Sequence, residues 1–234
     1  MREIIPNLYT FSNLMVGRVY LIDDGGDLTI IDAGIVPAAK QILAQLAASG
    51  RKPSAVKRIL ITHAHPDHVG GLHELVAATP NAQVIASLEE RPVIEGNMTV
   101  PMPKPETLPT PFNMVGLPNV RFKPVPVARL VDEGDVIEGV LGGLQVIPTP
   151  GHALGQIAFY QPQLKLIILG DTMMRFFGLR LPMLPATVNM AQAKQSILKL
   201  CDMDIEIACF GHGEPILQGA GDQIRAFARK LGIL

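Results

Sequence analysis

The chain has 234 residues, of which 48% are hydrophobic and 18% charged, and its formal net charge is −1. This apolar composition is sufficient to bury a core and excludes intrinsic disorder as the main state. Because 20 Lys and Arg stand against 21 Asp and Glu, the chain lacks a broad basic field for a phosphate backbone. We therefore expect no nucleic-acid partner.

The two cysteines, Cys201 and Cys209, are too few to cross-link a chain of this length, which fits a reducing compartment. The first residues include Glu3 and Pro6 and do not form the apolar stretch of a secretory signal. No run of about 18 apolar residues is present to span a membrane. We therefore expect a cytoplasmic protein without a membrane partner.

Hydrophobic patterning predicts strands and helices in two batches. Two β-rich runs around Gly25 and Gly26 predict a hairpin, Pro37 opens a helical period that stops at Gly50, and a further apolar run leads into HAHPDH. The predicted strands cover 18–23, 28–32, 57–62, 128–131, 144–147, 157–160, 164–169 and 205–210, and the predicted helices cover 38–48, 69–78, 190–201 and 222–231. This order predicts two packed sheets covered on the outside by helices.

Residues 92–126 contain nine prolines and no hydrophobic period, which is typical of a long ordered loop or lid. Apolar side chains in this segment, such as Met98 and Phe112, are unusual in a linker between domains. We therefore predict one domain over residues 1–234, with a loop or lid at about 92–126.

The sequence HAHPDH places His63, His65, Asp67 and His68 in the pattern H-x-H-x-D-H, directly after a predicted strand. Imidazole nitrogens and carboxylate oxygens are the ligands that borderline divalent metals prefer. A tight loop with alternating side chains can direct two imidazoles to one side and the Asp–His pair to another. The motif therefore predicts a metal-binding loop that can serve two adjacent ions.

Three further residues of metal-binding type follow predicted strands elsewhere in the chain. His152 lies in TPGHALG, Asp171 in ILGD and His212 in FGHGEP. Functional side chains commonly gather in loops at the ends of strands, where the scaffold is rigid. Histidines satisfied locally in turns would not predict this recurrence, so we predict that these residues join the motif in one metal site. His73 is expected on the surface or as a hydrogen-bond partner of the site.

The pattern H-x-H-x-D-H, followed at these intervals by a separate His, Asp and His, resembles that of the metallo-β-lactamase-fold superfamily of dinuclear metallohydrolases. The resemblance spans nearly the whole chain and implies an α/β (α+β) fold, a four-layer αββα sandwich with the metals at one edge. It also implies that Asp32, in IIDAG, hydrogen-bonds a ligand. The implied ligands are His63, His65 and His152 for one ion, Asp67, His68 and His212 for the second, and Asp171 as a bridge between both.

The resemblance implies two zinc ions per chain, and the same ligand types also suit iron or manganese. Two such ions bridge a water and lower its pKa towards neutrality, which yields a hydroxide nucleophile. One metal polarises the substrate carbonyl, and Asp67 or Asp171 accepts the proton. We therefore expect a zinc-dependent hydrolase that cleaves a small ester, lactone or thioester by attack of a metal-bridging hydroxide.

Several subfamilies share this motif, and departures from their patterns narrow the choice. β-Lactamases of the superfamily are exported and lack a bridging carboxylate such as Asp171. N-acyl homoserine lactonases commonly have Tyr where Met174 stands, and glyoxalase II enzymes usually have a third His where Ala64 stands. The alternatives are a glyoxalase II-like glutathione thioester hydrolase, a mononuclear iron persulfide dioxygenase, and a metal-stabilised binding protein without catalysis.

Seven of the ten methionines lie in segments 98–114 and 173–190, which are expected to flank the metal site. Flexible, polarizable side chains suit an adaptable apolar cleft, so we expect a small-molecule substrate with an apolar portion. The same side chains also suit a homodimer interface or an ordinary core. Arg175 and Arg180 are expected to be solvated, with contact to a substrate carboxylate as the alternative.

Overall fold

The computed structural model describes residues 1–114 and 119–234. Numbered in chain order, the strands are β1 Arg2–Ile5, β2 Leu8–Thr10, β3 Tyr20–Asp24, β4 Asp27–Ile31, β5 Val56–Leu60, β6 Gln83–Ser87, β7 Arg129–Val131, β8 Val136–Ile137, β9 Leu144–Pro148, β10 Ile157–Gln161, β11 Leu166–Ile168, β12 Met174–Arg175, β13 Leu179–Arg180 and β14 Ile207–Cys209. The helices are α1 Ala38–Ala48, α2 Pro66–Val69, α3 Leu72–Ala78, α4 Arg91–Ile94, α5 Met190–Leu200 and α6 Ala220–Lys230.

The first sheet joins β1 to β7 in sequential order. Strands β1 to β4 form an antiparallel meander, and the tight turn between β3 and β4 uses Gly25 and Gly26, which both have positive φ. From β4 onward the pairings are parallel, because helical and irregular segments return the chain across the sheet. The carboxyl ends of β4, β5 and β6 therefore lie at one edge.

The second sheet has the order β14-β11-β10-β9-β8. Strand β10 is antiparallel to both of its neighbours, β9 and β11, while β11 and β14 are parallel. Strands β9, β11 and β14 consequently run in the same direction, and their carboxyl ends share one edge. A separate short hairpin, β12 and β13, follows β11.

Three apolar clusters separate the four layers of the molecule. The first cluster lies between the first sheet and helices α1 and α3, the second between the two sheets, and the third between the second sheet and helices α5 and α6. The apolar run at the end of β5 alternates between clusters, since Ile59 and Ile61 belong to the first and Leu60 to the second. The αββα sandwich is thereby confirmed. Representative members are Ile42 and Ile59 in the first cluster, Leu60 and Phe159 in the second, and Ile167 and Ile224 in the third.

The structure corrects the single helix predicted over 69–78, since two helices, α2 and α3, meet at Gly70 and Gly71. The backbone here bonds to the loop after β4: Ala33 N donates to His68 O at 2.6 Å, and Gly71 N donates to Gly34 O at 2.9 Å. A Cβ at Gly71 would lie 2.6 Å from Ala33 O. Close contact with this loop therefore interrupts the helix.

Several strands are present that the patterning does not predict, namely β1, β2, β6, β8 and the hairpin of β12 and β13. They are two to five residues long. Much of the stability of such strands comes from pairing with neighbours that are distant in sequence. A single-sequence pattern does not register that contribution.

The Pro-rich segment 92–126 begins in α4 and continues as an irregular loop with single 3-10 turns. Its side chains Val100 and Val125 are buried, and Met98 packs against the first apolar cluster. Residues 115–118 of the predicted lid lie outside the described residues. Movement of this segment as a lid, and the organisation of the chain as one domain, stay predictions.

The longest helices, α1, α5 and α6, have 11 residues each. Across the described ranges 1–114 and 119–234, no helix combines the length and the apolar character needed to cross a membrane. The cytoplasmic location stays a prediction.

Candidate metal centre

The predicted metal ligands follow strands whose carboxyl ends lie at one edge of the sandwich. The 63–68 motif follows β5, His152 follows β9, Asp171 follows β11 and His212 follows β14. Because these strands run in one direction within each sheet, their loops meet across the gap between the sheets. The structure brings all the predicted ligands into adjoining groups of donor atoms: His63, His65, Asp67, His68, His152, Asp171 and His212.

The donor atoms form two clusters, which a third group of His63, His68 and Asp171 connects. The histidine triad consists of His63, His65 and His152, whose ring centroids lie 4.5 to 5.0 Å apart. The mixed cluster consists of Asp67, His68 and His212. Within each cluster, one ligand atom per residue lies within 4.8 Å of the others, so each can hold a metal ion. These two groupings are the ones that the family resemblance implies.

Asp171 lies between the two clusters and faces both of them. Its Oδ2 is 3.6 Å from Nε2 of His152 and 3.2 Å from Nε2 of His212, and its Oδ1 is 3.4 Å from Nε2 of His68. Gly211 lies directly behind this carboxylate, and a Cβ there would come within 2.0 Å of Oδ1. The absence of a side chain at Gly211 therefore leaves the space that the Asp171 carboxylate occupies.

Asp32 orients the mixed cluster through His68. Its Oδ2 accepts a hydrogen bond from Nδ1 of His68 at 2.7 Å, while its Oδ1 accepts one from Thr62 N at 2.8 Å. A carboxylate accepts and does not donate, so Nδ1 of His68 carries a proton and Nε2 is the nitrogen that faces the cluster. The predicted hydrogen bond between Asp32 and a candidate ligand is present, with Asp32 as the acceptor.

Two threonines orient the histidine triad in the same way. The Thr62 hydroxyl donates to Asp32 at 2.8 Å and lies 3.1 Å from Nδ1 of His63, so its oxygen accepts from that nitrogen. The Thr187 hydroxyl donates to Met183 O at 2.8 Å and lies 3.1 Å from Nδ1 of His152. Both imidazoles therefore present the Nε2 lone pair to the centre of the triad.

The inward atoms of the site have the chemistry of metal ligands. Nε2 of His63, His65, His68 and His212, and Oδ1 of Asp171, are buried and make no hydrogen bond within the part of the chain that the structure describes. Buried polar atoms are rarely left without a partner, because the loss of hydration is costly. A divalent cation would satisfy all of these atoms together, so the residues present fit a metal centre.

The protonation of the two clusters differs. Burial lowers the pKa of His65 to about 3 and that of His152 to about 4, so the triad is neutral and ready to bind a cation. Burial opposes the charged form of His212, but the Asp171 and Asp67 carboxylates, with oxygens 3.2 and 2.9 Å from its Nε2, raise its pKa to about 9. Burial likewise opposes ionisation of Asp67, yet the His68 charge holds its pKa at about 2.

Three residues complete the comparison with the sequence predictions. His73 is exposed on α3 and lies 3.8 Å from a carboxylate oxygen of Glu74, so it stays on the surface. Sequence reasoning missed Thr62 and Thr187. Thr62 directly precedes the motif, which was an available signal, whereas Thr187 lies in an irregular segment that nothing in the sequence connects with His152.

A cavity of about 490 Å³ adjoins the mixed cluster through His212. Its other walls are the 10–18 loop, Phe176 and Glu214, together with Arg2. A second cavity of about 490 Å³ lies between the Pro-rich segment and residues 184–190, beside Thr187. Of the aromatic and sulfur side chains expected around the site, Phe176 lines the first cavity, whereas Met173 is buried in the third apolar cluster.

Arg175 and Arg180 do not occupy the cavity walls named above. The Arg175 guanidinium donates to the carbonyl oxygens of Glu214 and Pro215, at 3.1 and 2.8 Å, and so braces the segment after His212. Arg180 is exposed and donates to Phe176 O at 3.3 Å. In the contacts that the structure describes, both arginines therefore stabilise nearby backbone through hydrogen bonds to carbonyl oxygens.

The amino-acid sequence is similar to those of known proteins. A family model described as the metallo-beta-lactamase superfamily matches residues 13–212. The chain is 30% identical to YobT of Bacillus subtilis over 238 residues, covering 97% of this chain and 96% of that protein. It is 32% identical to a hydroxyacylglutathione hydrolase of Stenotrophomonas maltophilia, over 60% of this chain and 40% of that enzyme. The chain spans about half the length of the hydroxyacylglutathione hydrolases that it matches.

Solved structures share the fold. A metallo-β-lactamase family protein from Thermus thermophilus superposes with a TM-score of 0.69 at 24% identity, over 98% of this chain and 81% of that one. The subclass B3 metallo-β-lactamase BJP-1 of Bradyrhizobium japonicum superposes with a TM-score of 0.71 at 23% identity, over 98% and 89% of the two chains. At these identities the likeness concerns the fold alone.

Proposed function

Because the chain is a metallo-hydrolase that belongs to the metallo-β-lactamase superfamily, we propose that it uses two zinc ions to cleave a small ester, lactone or thioester. The observation that carries this proposal is the convergence of the histidine triad, the mixed cluster and Asp171 at one sheet edge. Imidazole and carboxylate donors suit zinc, and iron and manganese accept the same ligands.

The proposed roles follow from the contacts. The triad of His63, His65 and His152 would hold one ion and the mixed cluster of Asp67, His68 and His212 the other, and Asp171 lies between the two clusters. When bound, such ions supply an acidified water as the nucleophile and polarise the substrate carbonyl. Asp67 and Asp171, whose pKa values lie below the ordinary range, are ionised at neutral pH and can accept the proton released during attack.

Hydrolysis by this site needs no protein nucleophile. Burial raises the pKa of the Cys209 thiol to about 12, so this cysteine is protonated at neutral pH. The hydroxyl groups of Thr62 and Thr187 are engaged in orienting His63 and His152. Cys209, Thr62 and Thr187 are therefore not needed as nucleophiles, and the two threonines instead orient candidate metal ligands.

The cavity beside His212 supports a small-molecule substrate with an apolar portion. Met15 and Phe176 in its wall are 77% and 49% exposed and form an apolar patch, in a wall that also contains the charged side chains of Arg18 and Glu214. The hydroxyacylglutathione hydrolases among the relatives favour a thioester as one substrate class to test. The presence of a complete mixed cluster favours a two-metal hydrolase over a mononuclear iron dioxygenase.

The absence of nucleic-acid and membrane partners and the formation of a homodimer stay predictions.

The proposal is tested by metal analysis and by turnover of the same preparations. We expect about two zinc ions per chain, removable by a chelator with loss of ester, lactone or thioester hydrolysis and restored by added zinc. Asp171→Ala and His63→Ala should abolish turnover with the fold intact, whereas His73→Ala, the same change at an exposed histidine, should not. Wild-type rates in either of the first two variants would contradict the mechanism, and one iron with oxygen uptake on a persulfide would favour the dioxygenase.

A further inference from the structure

Glu90 is a buried acidic residue to which the proposed reaction gives no role. It follows β6 and is only 3% exposed, at the sheet edge that carries the metal centre. Its carbonyl oxygen accepts from Val93 N and Ile94 N, both at 3.1 Å, at the beginning of α4. The backbone of Glu90 is thus anchored independently of its side chain.

The Glu90 carboxylate joins the two loops that carry the histidine triad. Its Oε2 accepts from Ala64 N at 2.8 Å, and Ala64 stands between His63 and His65. Its Oε1 accepts from Gly155 N at 2.7 Å, three residues after His152. A single buried side chain therefore spans the 63–65 and 152–155 segments, with one oxygen on each.

The 152–155 segment is shaped for this close approach. Ser87 Oγ donates to Gly155 O at 2.6 Å, so both backbone polar groups of Gly155 are bound by residues that end or follow β6. A Cβ at Gly155 would lie 2.5 Å from Ser87 Oγ and 2.6 Å from Glu89 Cβ. Glycine is therefore required for the backbone to reach the Glu90 carboxylate.

The mixed cluster is held by different contacts. Asp32 fixes the ring of His68, whose carbonyl oxygen accepts from Ala33 N at 2.6 Å. Gly211 N donates to Gly170 O at 2.7 Å, which connects the segment before His212 to the loop that follows β11. These bonds connect the mixed cluster to β4 and to the second sheet, whereas Glu90 connects the triad to β6.

We propose that Glu90 is a positioning residue that sets the spacing of the histidine triad and so governs the metal affinity of the triad selectively. The inference rests on the proposed function, since it takes the triad to be a metal site. A carboxylate is needed because each of its two oxygens accepts one N–H, whereas an amide would present NH₂ to one of these donors. Residues that orient ligands from outside the coordination sphere typically contribute 10–100-fold in metal affinity.

The test is zinc titration of the full chain by competition with a chromophoric chelator, comparing wild type with Glu90→Gln. Variants His152→Ala and His212→Ala identify which dissociation constant belongs to the triad and which to the mixed cluster. We expect Glu90→Gln to raise the dissociation constant of the triad about 10–100-fold and to leave that of the mixed cluster unchanged. Glu89→Gln makes the same change at the adjacent, exposed position and should alter neither constant.

Cobalt absorption spectra of the same variants supply a readout of coordination geometry that is independent of turnover. Equal weakening of both clusters, no weakening, or an equal effect of Glu89→Gln would overturn the role of Glu90. Should Glu90→Gln fail to fold by circular dichroism, Glu90→Asp replaces it, because the shorter carboxylate cannot reach both N–H groups. Unchanged triad affinity in Glu90→Asp would equally overturn the inference. A wild type that binds no zinc would instead refute the proposed function, and the inference with it.

Discussion

Replacement of Asp32 by asparagine is expected to weaken zinc binding at the mixed cluster about 10–100-fold. Oδ2 of Asp32 accepts from His68 Nδ1 at 2.7 Å and from the Thr62 hydroxyl at 2.8 Å, while Oδ1 accepts from Thr62 N at 2.8 Å. Asparagine has one oxygen in place of two, so at least one of these donors must face an amide NH₂. The substitution keeps the volume of the side chain and changes mainly its hydrogen bonding.

Both orientations of the introduced amide carry a penalty. With NH₂ towards His68, the ring must accept at Nδ1 and carry its proton on Nε2, where it blocks metal binding. With NH₂ towards Thr62 N, two buried donors oppose each other, which costs roughly 1–3 kcal/mol. A 10–100-fold loss of affinity equals about 1.4–2.8 kcal/mol at 25 °C. This range is similar to the energy needed to oppose the two buried donors.

Chelator competition measures this loss, with thermal unfolding of the metal-free protein as the check on the fold. Asp27→Asn is the matched control, since it makes the same change at the exposed beginning of β4. Wild-type zinc affinity in a folded Asp32→Asn variant would refute the argument that the hydrogen bond to His68 prepares the mixed cluster.

Three further predictions concern the same site. Thr187→Val should lower the zinc affinity of the triad about tenfold, because it removes the acceptor for Nδ1 of His152, and Thr107→Val is an exposed control. Gly211→Ala should displace the Asp171 carboxylate, since the new Cβ would come within 2.0 Å of Oδ1; two tightly bound ions in that variant would contradict the geometry. The His212 pKa of about 9 means that zinc displaces a proton at neutral pH, so the affinity of the mixed cluster should rise from pH 6 to pH 9. Titrations at several pH values test this, and a flat profile would count against it.

Much of the candidate site follows from local sequence. The spacing of His63, His65 and Asp67 after an apolar run is a property of neighbouring residues, and the chemistry of imidazole and carboxylate is independent of the fold. The recurrence of His and Asp at the ends of other strands indicated where the remaining donors would lie. The structure brings these side chains together because those strands end at one edge.

Glu90 and Thr187 were beyond the reach of the same reasoning. The sequence pattern does not predict strand β6, which precedes Glu90, so nothing in the pattern marks Glu90 as a residue at a strand end. Its function in the structure depends on Ala64 and Gly155, which lie 26 and 65 residues away in sequence. Such contacts arise only after the two sheets have packed.

The amino-acid sequence by itself determined the donor types, their order along the chain and the alternation of strands and helices that makes an αββα sandwich. These features depend on residue chemistry and short-range periodicity. The family resemblance of the motif also implied the two ligand groups, the bridging Asp171 and the hydrogen bond of Asp32. Tertiary structure alone decided that Thr62 and Thr187 orient His63 and His152, and that Glu90 joins the two loops of the triad. Those relations depend on distances between segments far apart in sequence, and packing of the two sheets sets those distances.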